Sequence, residues 1–112
     1  MTDEIEFAAT FARAIVGGDS EAAHGMLSAD LGLALAATDL LSQFETLAED
    51  MGGVTGVGTP MVILQEWPDM SPNDRAMVYV PLEGDVFSEA ITVTVSAPDD
   101  ALCISGIEWG RP

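Results

Sequence analysis

Residues 38–66 read TDLLSQFETLAEDMGGVTGVGTPMVILQE, and the change of pattern inside this stretch decides the fold. Up to Met51 the apolar residues recur at helical spacing. Leu40, Leu41, Phe44, Leu47, Ala48 and Met51 make one face, while Glu45, Glu49 and Asp50 fall on the outer side. Thr38 and Asp39 are residues that open helices, and Gly52-Gly53 stops this one. From residue 54 a glycine-rich start leads into Met61-Val62-Ile63-Leu64, an apolar run of strand type. Helices come before this stretch and strands after it.

Toward the N-terminus, Thr2 caps a helix whose first turn carries Asp3, Glu4 and Glu6, placed to favour the positive end of the helix dipole. Ile5, Ala8, Ala12 and Ile15 recur along it, Phe7 and Phe11 widen the stripe, and Gly17-Gly18 ends it. Asp19 or Ser20 then starts a short helix with Ala22, Ala23, Met26 and Leu27 turned inward. Residues 28–37, with Gly32 among them, read as a turn or a loose helical segment. Toward the C-terminus, residues 67–74 are dense in turn formers. Strands at 76–82 and 86–96 flank Glu83-Gly84-Asp85, read as a tight hairpin connection, and a turn at 97–100 leads to a last strand at 101–109.

The expectation is one α+β domain over residues 1–112, with three N-terminal helices packed on a curved antiparallel sheet of about four strands. Met77 and Tyr79 alternate with Val78 and Val80, and Phe87, Ile91, Val93 and Val95 with small or hydroxyl residues. One sheet face is thus apolar and the other only mildly polar. Such a sheet either curls around a pocket or turns its second face to a partner chain.

Charge narrows the function classes. The 112 residues hold 19 acidic side chains against three arginines and no lysine, a net charge of -16. The acids are spread evenly, -9 over residues 1–56 and -7 over 57–112, so the whole surface is acidic and there is no acidic tail. A hydrophobic fraction of 48% argues for a folded body beneath that coat. A field of this sign repels nucleic acid and anionic membrane and attracts basic proteins. The N-terminus lacks the pattern of a secretory signal and the apolar runs are too short to span a bilayer, so a cytoplasmic location is expected.

Reactive constellations are sparse. Cys103 stands alone in the apolar run Ala101-Leu102-Cys103-Ile104 and reads as a small hydrophobe. One histidine and one cysteine make no zinc tetrad, and no stretch has calcium-loop spacing, so no metal and no cofactor is expected. Gly53-Val-Thr-Gly56-Val-Gly58 follows a helix and lacks the lysine of a phosphate loop, which leaves it as a bulged or edge strand.

Residues 11–19, FARAIVGGD, then Ala22-Ala23 through Met26-Leu27-Ser28, and Thr38 to Leu47 leading into Met51-Gly52-Gly53 are similar to the opening of the nuclear transport factor 2-like (cystatin-like cone) superfamily. The resemblance covers nearly the whole chain in element order, most closely residues 7–53, and its motifs are not catalytic signatures. It implies a cone-shaped sheet around the first helix, often with a pocket at the open end and a dimer across the sheet. It implies no particular activity. A dehydratase-like site needs a histidine working with other polar groups, and His24 is alone. A steroid-isomerase-like site needs a tyrosine donor and a buried carboxylate base, for which Tyr79 with Glu66, Asp69 or Glu89 are the material. An epoxide-hydrolase-like set needs an internal arginine, and Arg75 reads as a turn residue. No catalytic set is assigned.

Three functions follow as expectations. The first is a non-catalytic acidic domain that engages a basic protein, as an inhibitor, immunity-type neutraliser or nucleic-acid mimic, through Glu45, Glu49, Asp50, Asp99 and Asp100. The second is an apolar-ligand pocket, binding or isomerising, lined by Trp67, Tyr79, Phe87 and Trp109. The third is a homodimeric accessory domain joined through the sheet face.

Overall fold

The computed structural model describes residues 2–110 (Thr2 as part of a helix only), so the cap expected at Thr2 lies outside the described side chains. Helix α1, Thr2–Val16, buries Ala8, Phe11, Ala12 and Ile15 on the stripe that the sequence marks. Helix α2, Ser20–His24, starts at Asp19, whose carboxylate accepts the Ala22 N–H at 3.1 Å. Ala23 and Leu27 point inward, but Ala22 is exposed. The reason is that α2 stops at Gly25, and residues 26–28 leave the helix to run beside the sheet.

Residues 28–37, read as a turn or a loose helical segment, hold a short fourth helix. Helix α3, Ala29–Ala34, is set by Ser28, whose hydroxyl accepts the Leu31 N–H at 3.2 Å. Helix α4, Ala37–Met51, begins one residue before Thr38. The Asp39 carboxylate accepts the Ala36 N–H at 3.0 Å, which is half of a capping box, since alanine has no side chain to return the bond. Its buried face is Leu40, Phe44, Leu47 and Met51. The helix closes on Gly52, at φ +76, with the Gly53 N–H donating to the Ala48 carbonyl at 2.8 Å.

Five strands follow: β1 Val54–Val57, β2 Met61–Leu64, β3 Asp74–Gly84, β4 Glu89–Ser96 and β5 Cys103–Trp109. All pairings are antiparallel, and β1 and β2 both pair with β3, so they form one interrupted row beside β3, then β4, then β5. The single strand expected over 54–66 is broken at residues 58–60. Pro81 explains the place of the break. Its carbonyl accepts the Gly58 N–H at 2.8 Å, so the side of Pro81 that has no N–H faces the gap. A proline is thereby tolerated in an interior strand.

The β3–β4 connection is also longer than expected. Strand β3 runs through Gly84, and residues 85–88 fold back onto the end of α4 in place of a tight hairpin. The Val86 and Phe87 N–H groups donate to the Met51 carbonyl at 2.9 and 3.3 Å, and the Asp85 N–H to the Gly53 carbonyl at 3.3 Å. Phe87 is therefore a loop residue, not a strand residue alternating with Ile91. At the far edge, β5 takes a short partner: the Ile104 N–H donates to the Met26 carbonyl and the Ser28 N–H to the Ile104 carbonyl, both at 2.8 Å.

The helices pack on one face of the sheet. Val80, Ile91 and Trp109 share a row on that face, as do Val78, Val93 and Ile107. Phe11, Ile15, Leu40, Met51 and Ile104 fill the space between helices and sheet. The opposite face carries the rows Met61–Tyr79–Thr92–Glu108 and Leu64–Met77–Thr94–Gly106, with no helix over it.

Candidate functional site

The four aromatic residues expected to line a pocket do not meet. Trp109 ends β5 on the helix side, and its Nε1–H donates to Gln43 Oε1 at 2.6 Å, which fixes the ring beside α4. Tyr79 is on the opposite face of the sheet, between Met61 and Thr92. Trp67 lies in the turn after β2, and Phe87 stands out from the β3–β4 loop, 63% exposed. The hollows described lie at the surface: one of about 350 Å³ is lined by Gln43, Thr46, Leu47, Asp50 and Trp109.

The acidic residues expected to meet a partner divide into two groups. Glu45 and Glu49 are exposed on α4 and, with Ala48 and Gly53, line a shallow hollow of about 300 Å³. Asp50 is on the other flank of the same helix end, in the Trp109 hollow. Asp99 and Asp100 are in the turn after β4, at the far end of that strand. The eight residues of β4 separate the groups by roughly 25 Å at the usual strand rise. Asp100 pairs there with Arg75 at 3.9 Å, both on the surface.

The α4 end is where charge concentrates. Its last turn holds Glu49 and Asp50 and no basic residue, against the preference of a helix C-terminus for cations. Asp85 joins them from the loop: a methyl group built on Gly53 would lie 3.8 Å from its Oδ2. None of Glu45, Glu49, Asp50 and Asp85 has a cationic partner among the described residues. The sequence reading missed Asp85 and Val86 at this place. The signal was present in Gly52-Gly53 and Gly84, which allow close approach of two backbones that sequence distance keeps apart.

A second polar group was also missed. In a cleft of about 230 Å³, the buried Ser96 hydroxyl donates to Asp74 Oδ1 at 2.6 Å and contacts the Ser105 hydroxyl at 2.6 Å. The Ser71 N–H donates to Asp74 Oδ2 at 2.9 Å. Cys103 lines the same cleft. Burial first, and then the negative charge of Asp74, push its thiol pKa up, which keeps it protonated and poorly nucleophilic. His24, the usual general base, has Nε2 at 3.0 Å from the Gly32 carbonyl and so donates there, tying α2 to α3. Nothing brings it to this cleft.

Among the described residues no group of three or more histidine, cysteine or carboxylate side chains is placed to hold a metal. No described helix is long and apolar enough to cross a membrane. No family model, no curated protein and no solved structure matches the chain.

Proposed function

We propose that this chain is a non-catalytic binding domain that captures a basic protein at the C-terminal end of α4. The observation that carries the reading is the gathering of Glu45, Glu49 and Asp85 on one flank, with Asp50 on the other, at the C-terminal end of a 15-residue helix with no basic residue in its last turn. Glu49 and Asp50, in that last turn, weaken the free domain by about 0.3–1 kcal/mol each and gain when a cation docks. Electrostatic steering by the -16 coat would speed the encounter, as an inhibitor, immunity-type neutraliser or nucleic-acid mimic requires. The scaffold for this surface is the α+β packing of helices on one face of an antiparallel sheet.

The test is an amide-shift titration with a lysine–glycine peptide at low salt. Shifts clustered on residues 45–53 and 85, lost at high salt, support the reading; shifts spread evenly over the surface, or none, overturn it. In the same assay Glu49→Gln is expected to raise stability by about 0.5 kcal/mol while weakening peptide binding, a pair of opposite changes measurable by urea denaturation and titration.

A homodimer is the second reading, favoured by the uncovered sheet face. Its rows carry Met61, Leu64, Met77, Tyr79, Thr92 and Thr94, with the exposed Glu108 as their one carboxylate, and Met61 and Leu64 are 52% and 43% exposed. Light scattering that gives a monomer at both low and high salt removes it. The small-ligand reading has less support, because Trp67, Tyr79, Phe87 and Trp109 do not line a common pocket.

A further inference from the structure

Val86 and Phe87 are 65% and 63% exposed at the tip of the β3–β4 loop, yet this tip is not loose. Three of its N–H groups end on the Met51 and Gly53 carbonyls, so the loop caps the very helix end where the carboxylates gather. Two glycines make the clamp possible. A methyl group on Gly84 would come 2.3 Å from the Phe87 carbonyl oxygen and 2.9 Å from Met51 Cβ. A methyl group on Gly52 would come 2.5 Å from Val86 Cγ2. These bonds and close approaches hold the loop against the helix end with the valine and the phenylalanine exposed. Beside this knob stand Asp85 on its own loop, and Glu45 and Glu49 across the rim at Gly53.

We propose that Val86–Phe87 is the apolar anchor of a docking surface for a basic, amphipathic segment of a partner protein. The segment's apolar side seats on the knob, and its flanking lysines or arginines reach Glu49 and Asp85. Charge selects this occupant. A second copy would bring like carboxylates face to face, and an anionic membrane would be repelled. Aromatic residues are enriched at interface cores inside a polar rim, and one already held in place loses little conformational freedom on binding. This inference rests on the basic-partner reading and adds the element that distinguishes a specific partner from any polycation.

The experiment compares two peptides of equal charge, a lysine–leucine amphipathic helix and a lysine–glycine chain, titrated by calorimetry at low salt. The wild type is expected to bind the lysine–leucine peptide about tenfold more tightly. The double variant Val86→Ser/Phe87→Ser is expected to erase that preference while binding the lysine–glycine peptide as the wild type does; Phe87→Leu is expected to keep it. Unchanged melting temperatures establish that these surface variants fold. A double variant that keeps the tenfold preference overturns the anchor and leaves the basic-partner reading standing. A wild type that binds neither peptide overturns both.

Discussion

Thr92 sits in the row between Tyr79 and Glu108 on the face that no helix covers, yet it is buried, and its hydroxyl has no hydrogen-bond partner among the described residues. A buried hydroxyl left unpaired costs on the order of 1–3 kcal/mol. Thr92→Val keeps the shape and the β-branch and removes the penalty, so it is expected to raise stability by about 1 kcal/mol in urea denaturation. At this scale the sequence was legible wherever one periodicity fixed one side chain. Phe11, Ile15, Leu40 and Met51 are buried as their spacing demands. It was illegible where a residue's role depends on a distant partner. Nothing near Trp109 in the chain points to Gln43, and Phe87 alternates with strand residues while the backbone bonds that hold it come from Met51.

Among the elements, the junction of α4, β1 and the β3–β4 loop carries the most consequence. Gly84 is the position where packing leaves no alternative, since any side chain meets the backbone of Phe87 and the Met51 side chain. Gly84→Ala is expected to destabilise by about 3 kcal/mol and to speed hydrogen exchange at the Val86 and Phe87 amides, because the loop must lift off the helix end to make room. Both are read from one sample by denaturation and exchange. The helix and strand types were visible in local pattern, including the stop at Gly52-Gly53. The interruption of the first row has a local signal in Gly58-Thr59-Pro60, but its match to Pro81 in the neighbouring strand was not legible. Helix α3 left a turn and a loose helical segment both open, because six residues are too few for a periodic stripe and a single Ser28 cap defines it.

The whole molecule spans 39 × 26 × 22 Å, while charges in about 0.1 M salt are screened over roughly 10 Å. At low salt the -16 carboxylate coat repels itself across the full body, and added salt removes most of that repulsion. The melting temperature is therefore expected to rise by about 5 °C from low salt to roughly 0.5 M sodium chloride, followed by circular dichroism. A flat or falling curve would mean that local ion pairs such as Arg75–Asp100 outweigh the general repulsion.

The interrupted first row has a consequence for the chain in bulk. A sheet edge with a regular row of free backbone groups is a template on which further strands can add, ending in fibrils. Here one edge is two four-residue pieces parted by Gly58, Thr59 and Pro60, and the other is met at Ile104 by the Met26–Ser28 segment. The first edge offers no long flat run and the second is taken at its start, so lateral growth on a chain with about half its residues hydrophobic is confined to the Ser105–Trp109 end of β5.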